Sequence, residues 1–122
     1  MEKKKINHRE IGTAFEKRAV LFLEKKGYGI VETNYYCKQG EIDIIARDAE
    51  YLVFVEVKYR CDAYPGASLE AVTSRKQAHI VRSARRYLYE RKYSEDTPCR
   101  FDVVAFDGES LHHIENAFEA SY

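Results

Sequence analysis

Between Tyr28 and Arg60 the chain carries three β-branched and aromatic segments in succession, parted by two short breaks. Tyr28 to Cys37 is rich in Val, Ile, Thr and Tyr, and Gln39-Gly40 interrupts it. Glu41 to Arg47 follows, then a second break over Asp48 to Glu50, then Tyr51 to Arg60. Side chains of this kind suit a pleated, half-buried surface, and breaks this short suit hairpins. The expected centre of the fold is therefore an antiparallel three-strand meander.

Helices frame it. Asn7 and Glu10 form a capping pattern, and apolar or small residues at Gly12, Ala19 and Leu23 share one helical stripe with Glu16. Gly27 is the expected stop, one residue past Lys26. After a loop from Cys61 to Ser68 containing Pro65-Gly66, the S-x-x-Q pattern Ser74 to Gln77 predicts a second helix, from Arg75 to Lys92. Its apolar side is read as Ala78, Val81, Ala84, Tyr87 and Leu88. Arg100 to Phe106 and Ser110 to Glu115, around the turn Asp107-Gly108, predict two final strands. The order αβββαββ implies an α/β fold with a mixed central sheet flanked by helices. With 122 residues the chain fits one domain over residues 11–122, preceded by a basic arm over residues 1–10.

The third strand reads Val53-Phe54-Val55-Glu56-Val57-Lys58. Alternation puts Leu52, Phe54, Glu56 and Lys58 on one face. A charged pair on a face that begins with Leu and Phe needs a compensating ion or a wet cleft, because burying a bare charge is costly. The second strand repeats the anomaly with Asp43 inside Glu41-Ile42-Asp43-Ile44-Ile45. In a meander, Asp43 can stand beside Glu56. Two adjacent carboxylates repel unless a cation or proton lies between them, and magnesium, a hard ion that accepts one or two carboxylates and keeps its waters, suits the pair. Lys58 can then orient a water or stabilise a phosphate. Glu16, on the inner stripe of the first helix, is a candidate third carboxylate. A single Asp or Glu in a strand ordinarily faces solvent; the combination is what points to chemistry.

Asp43 with Glu56-Val57-Lys58 resembles the PD-(D/E)XK signature of restriction-endonuclease-like nucleases. The fit is closest to a small bacterial YraN-type family, itself similar to archaeal Holliday-junction resolvases. The matching stretches are Gly40 to Asp48, Val53 to Arg60, Glu70 to Val72 with Lys76-Gln77, Arg100 to Val104, and His113 to Phe118. The resemblance implies a restriction-endonuclease-like core. It makes Asp43, Glu56 and the Val57 carbonyl ligands of magnesium, with manganese as a substitute, and gives catalytic roles to Glu16, Asp43, Glu56 and Lys58. Phe15 departs from the family's usual Gly before the helix carboxylate. Glu41, Arg60 and Gln77 are expected to support the site from its edge. The implied activity is magnesium-dependent hydrolysis of DNA, branched or junction DNA included. The rival reading is a non-catalytic nucleic-acid-binding or repair-partner module on the same fold.

Basic and acidic residues balance at 20 each, so net charge announces no partner. Distribution says more. Arg75, Lys76, Arg82, Arg85 and Arg86 crowd the second helix, which has a net charge of about +6 with Arg91, Lys92 and Glu90 included. Such a surface suits a phosphate backbone, although many helices carry cations on a merely solvated face. Cys37, Cys61 and Cys99 show no metal-site spacing and read as free thiols of a reducing cytoplasm. The four histidines show no zinc spacing. No apolar stretch is long enough for a signal peptide or a membrane span, so no membrane association is expected. A symmetric junction would suit a C2 homodimer.

Overall fold

Helix α1 (His8–Lys25) ends as Gly27 permits. Gly27 has φ 96°, and the Tyr28 N–H reaches back to the Leu23 carbonyl at 3.0 Å, closing the helix with a left-handed cap. The chain then enters β1 (Gly29–Cys37), β2 (Gly40–Asp48) and β3 (Tyr51–Arg60), crosses through α2 (Ser74–Glu90), and finishes with β4 (Cys99–Asp107) and β5 (Ser110–Phe118). This computed structural model describes residues 8–60 and 71–120. The lysines expected in the basic arm, and the loop with Pro65-Gly66, lie outside the described residues. Residues 8–10, assigned to the arm from sequence, are the first turn of α1.

The five strands lie in the order β1-β2-β3-β4-β5. The first three form the expected antiparallel meander, β4 pairs parallel with β3 after the α2 crossover, and β5 returns antiparallel. The sheet is mixed because only the long α2 connection can bring the chain back in the same direction.

Both faces of the sheet are covered. Ala19 and Leu23 of α1 pack on Ile44, Ala46, Val53, Val55 and Val57. On the other face Ile80, Val81, Ala84 and Tyr87 of α2 pack on Ile42, Ile45, Leu52, Phe54 and Phe101. Strand β3 is the centre: every residue from Leu52 to Val57 is buried. That is why it reads as a near-continuous apolar run, and why Glu56 within it is conspicuous.

Helix α2 departs from expectation at both ends. Thr73, not Ser74, is the N-cap, its hydroxyl accepting the Lys76 N–H at 3.3 Å. Ser is ordinarily the somewhat better cap of the two, so residue type alone does not select Thr73. The buried stripe is Ile80, Ala84 and Tyr87 with Val81 and Ser83; Ala78 is exposed and Leu88 half-buried. The helix stops at Glu90 rather than Lys92 because Lys92 takes the left-handed conformation (φ 60°) and the Tyr93 N–H closes on the Leu88 carbonyl at 2.9 Å. A lysine there gave no glycine-like signal.

Candidate active site

The β2–β3 ladder pairs Ile44 with Val55 and goes no further towards the start of β2. At the next step the Asp43 side chain takes over, its Oδ2 accepting the Val57 N–H at 2.8 Å. A carboxylate thus occupies a position that a strand carbonyl would otherwise fill, and it is 6 % exposed. Glu56, on the adjacent strand, is 4 % exposed.

Burial and the neighbouring Glu56 push the Asp43 carboxyl up to about 8, against the lowering effect of the Val57 hydrogen bond. Glu16 and Glu41 also repel its charge. These four carboxylates therefore form one electrostatic cluster drawn from α1, β2 and β3. Glu16 is half-buried, and its carboxyl is likewise raised: burial acts upward, a hydrogen bond from the Asn34 side chain acts downward, and Glu41 and Glu56 add to the rise.

Two amines meet the cluster. Lys58 Nζ lies 3.4 Å from Glu56 Oε1, and Lys76 Nζ lies 3.6 Å from the same oxygen. Lys58 shares a strand with Glu56, as alternation requires. Lys76, expected from sequence on the outer cationic surface, instead turns inward from the first turn of α2. Where α2 docks decides that direction.

Among the described residues no three His, Cys, Asp or Glu side chains form a ready-made metal cage. The donor set still fits a hard divalent cation that keeps most of its waters: two buried carboxylates on adjacent strands, with the Val57 carbonyl next to them in sequence. A cation there would relieve the repulsion that now raises the Asp43 carboxyl.

The remaining expected residues divide. Glu41 is half-buried within the cluster's field. Gln77 points elsewhere: its Nε2 donates to the Val72 carbonyl at 3.1 Å and so serves the start of α2. Arg60 is exposed at the end of β3, where its carbonyl accepts the Gly108 N–H at 2.8 Å. Arg75, Arg82, Arg85 and Arg86 are exposed on α2. Arg86 is bonded to Glu90 at 2.7 Å and lies over the ring of the exposed Tyr89.

Two features escaped the sequence reading. One is Asn34. The other is a polar cluster centred on Asp102, which is 0 % exposed. Its carboxylate accepts from Arg100 Nε at 2.9 Å and from the Asn116 N–H at 3.0 Å, and lies 2.8 Å from His113 Nε2. Arg100 also reaches Asp48 at 2.8 Å and the Tyr28 hydroxyl. This network fastens β4 and β5 to the turn that follows α1. Asp102 interrupts Phe101-Val103-Val104 just as Asp43 interrupts its own strand, so the signal was available.

The profile of the Uncharacterised protein family UPF0102 matches residues 15–106, a span that takes in α1 from Phe15, all of β1 to β3, and β4 up to Phe106. The chain belongs to the UPF0102 family. Similar UPF0102 proteins include one from Lachnoclostridium phytofermentans, 46% identical over 115 residues that cover 94% of this chain and 98% of the relative. Another, from Geobacter metallireducens, is 41% identical over 121 residues, covering 96% and 98%. A third, from Alkalilimnicola ehrlichii, is 42% identical over 113 residues, covering 93% and 90%. Membership in UPF0102 therefore extends over nearly the full chain and includes every residue of the carboxylate cluster. No helix among the described residues is long and apolar enough to cross a membrane.

Proposed function

We propose that this UPF0102 protein is a magnesium-dependent endonuclease that hydrolyses phosphodiester bonds in DNA, with branched or junction DNA as the favoured class. One observation carries the reading. Two carboxylates buried on adjacent strands, Asp43 and Glu56, crowd each other enough to raise the Asp43 carboxyl, and two ammonium groups reach the same Glu56 oxygen. A fold retains such a conflict in its central strands where chemistry uses it.

In this reading Asp43, Glu56 and the Val57 carbonyl hold the cation, with manganese able to substitute for magnesium. The bound ion supplies neutralising charge for a phosphate oxygen and a more acidic water. Asp43 is held in place by the Val57 N–H and would ligate the cation as a carboxylate. Glu16 accepts hydrogen bonds from solvent at the mouth of the site. Lys58 donates to the non-bridging oxygens of the phosphate under attack, where negative charge grows. Lys76 supplies a second donor from α2, on the side from which the cationic surface extends. The exposed arginines of α2 hold flanking phosphates.

The test is cleavage of four-way junctions, flaps and single strands with and without magnesium, using wild type, Asp43→Asn, Glu56→Gln and Lys58→Ala. Magnesium-dependent cutting by wild type and a loss of at least about a hundredfold in each variant is expected. Variants that cut as well as wild type would sink the assignment. DNA binding without metal affinity would instead favour a non-catalytic module.

A further inference from the structure

Arg86 is held more firmly than most exposed cations. Its Nε donates to Glu90 at 2.7 Å, one helical turn on, and the same Glu90 accepts the Tyr35 hydroxyl at 2.7 Å from β1. So fixed, the guanidinium stands over the Tyr89 ring, 5.6 Å from its centre. Tyr89 is 76 % exposed, more than any other large hydrophobic side chain among the described residues. With the cation over one face, the opposite face of the ring is turned to solvent.

A single exposed tyrosine is ordinary; the setting of this one is not. Tyr89 borders an open hollow together with Gln39, Arg82, Arg85 and Arg86, so guanidinium groups dominate the lining and no carboxylate belongs to it. Glu90, the acidic residue nearest in sequence, is taken up by Arg86, Tyr35 and Arg91. Gln39, on the turn between β1 and β2, adds a buried Oε1 that has no hydrogen-bond partner. Charge of this sign selects an anion, and an open ring face selects a flat group. A nucleotide carries both in one unit. In a duplex the bases already cover one another, whereas an unpaired base has a face to offer. The hollow and the carboxylate site share a helix: Lys76 and Tyr89 stand roughly 20 Å apart along α2.

We propose that this hollow is a stacking platform for unpaired nucleotides. A base lies on the open face of Tyr89, Arg82 and Arg85 meet the flanking phosphates, and Arg86 braces the ring from behind. The inference rests on the DNA reading above and narrows its substrate class to branched DNA with a single-stranded stretch, such as a flap, in preference to fully paired arms.

The experiment is fluorescence anisotropy in chelator with a labelled oligothymidylate, a flap and a blunt duplex, on the full chain as wild type, Tyr89→Phe, Tyr89→Ala and Arg82→Gln. Tyr89→Ala should weaken binding of the oligothymidylate and the flap about tenfold, the scale of one lost stack, and leave duplex binding unchanged. Tyr89→Phe keeps the ring and should bind like wild type. Stacking carries no charge, so Tyr89→Ala should leave the dependence of log affinity on log salt as it is, while Arg82→Gln makes it shallower. The ring is exposed, so the thermal midpoint of Tyr89→Ala should stay within a few degrees of wild type. Equal weakening on duplex and oligothymidylate, a Phe variant as weak as the Ala variant, or no weakening at all would overturn the platform. Polyglutamate that displaces the oligothymidylate as readily as unlabelled oligothymidylate does would reveal a patch that reads charge alone, and would overturn it too. Metal is absent throughout, so the result does not depend on Asp43 and Glu56. A platform that fails beside magnesium-dependent cutting of junctions overturns only this inference; Tyr89-dependent binding by a chain that cuts nothing overturns only the nuclease reading.

Discussion

The Asp43 carboxylate and the Val57 N–H, 2.8 Å apart, join β2 to β3 at the point where their backbone ladder ends. The fold thus uses a side chain for a bond that backbone would ordinarily make, and the consequence is a carboxylate locked beside Glu56 with no freedom to turn away. Metal-free protein should register this as a dependence of stability on pH. The folded-state carboxyl of Asp43 is raised to about 8 by burial and by Glu56, above its ordinary value of 3.8. Between those limits the folded chain holds the proton more tightly than the unfolded chain does. Stability therefore declines as pH rises from about 4 to about 8. Asn at this position keeps an acceptor for the Val57 N–H and carries no charge. Asp43→Asn should then be more stable than wild type in chelator by about 1–4 kcal/mol at pH 8, a rise of several degrees in Tm, with the gap closing towards pH 4. Thermal unfolding at the two pH values decides it; a variant destabilised equally at both would show that the carboxylate is not under strain.

How much of this was legible follows from which interactions are local. The meander was, because β-branched segments and short turns act within a dozen residues, and with it came the adjacency of Asp43 and Glu56. The inward turn of Lys76 was not, since it depends on how α2 sits against the sheet, and even the cap moved from Ser74 to Thr73. Asn34 stood in plain view as a residue poorly suited to a strand, but nothing local announced its left-handed backbone (φ 53°). Asp102 was an equally visible anomaly; Arg100 stands two residues away on the same strand, but His113 and the Asn116 N–H reach it only once β5 pairs with β4.

The two lysines on Glu56 Oε1 should be partly interchangeable for folding and not for chemistry. Lys58→Met leaves Lys76 at 3.6 Å to balance the buried carboxylate, and Lys76→Met leaves Lys58 at 3.4 Å. Removing both leaves Glu56 and Asp43 crowded without either amine that now reaches Glu56. In chelator, denaturant unfolding should show the double variant losing more than the sum of the single losses, with a coupling on the order of 1–2 kcal/mol. Magnesium should restore much of that deficit. Simple additivity, with no rescue by magnesium, would mean the amines do not share the load.

Asp102 makes the opposite prediction about pH. Burial works to raise its carboxyl, but hydrogen bonds from His113, Arg100 and the Asn116 N–H outweigh it and hold the group below the usual carboxylate range. A depressed folded value contributes stability that is present above the ordinary value near 3.8 and lost as pH falls through the folded one. Asp102→Ala should cost about 3–5 kcal/mol at neutral pH, because it takes from the nearly buried Arg100 one of the two carboxylates it pairs with among the described residues. The loss should shrink as pH falls through the depressed folded value, where wild type also gives up the interaction. Urea unfolding across that range reads it directly, and a cost under about 1 kcal/mol at pH 7 would show the network to be dispensable.

If the outer face of α2 holds DNA, its arginines should contribute unequally, and the ion pairs say in what order. Arg75 and Arg82 are exposed, while Arg86 is committed to Glu90 at 2.7 Å and packs over Tyr89. A guanidinium already held by a carboxylate has less to offer a phosphate. Removing one cation that neutralises a phosphate should make the dependence of log affinity on log salt shallower by about 1. Arg75→Gln and Arg82→Gln should each do so, and Arg86→Gln should do so less. Binding of a four-way junction in chelator, followed by fluorescence anisotropy from low to moderate salt, isolates this from cleavage. Because these arginines read charge rather than sequence, the weakening should be the same on junctions of different sequence. Slopes unchanged in all three variants would move the DNA to another face of the molecule.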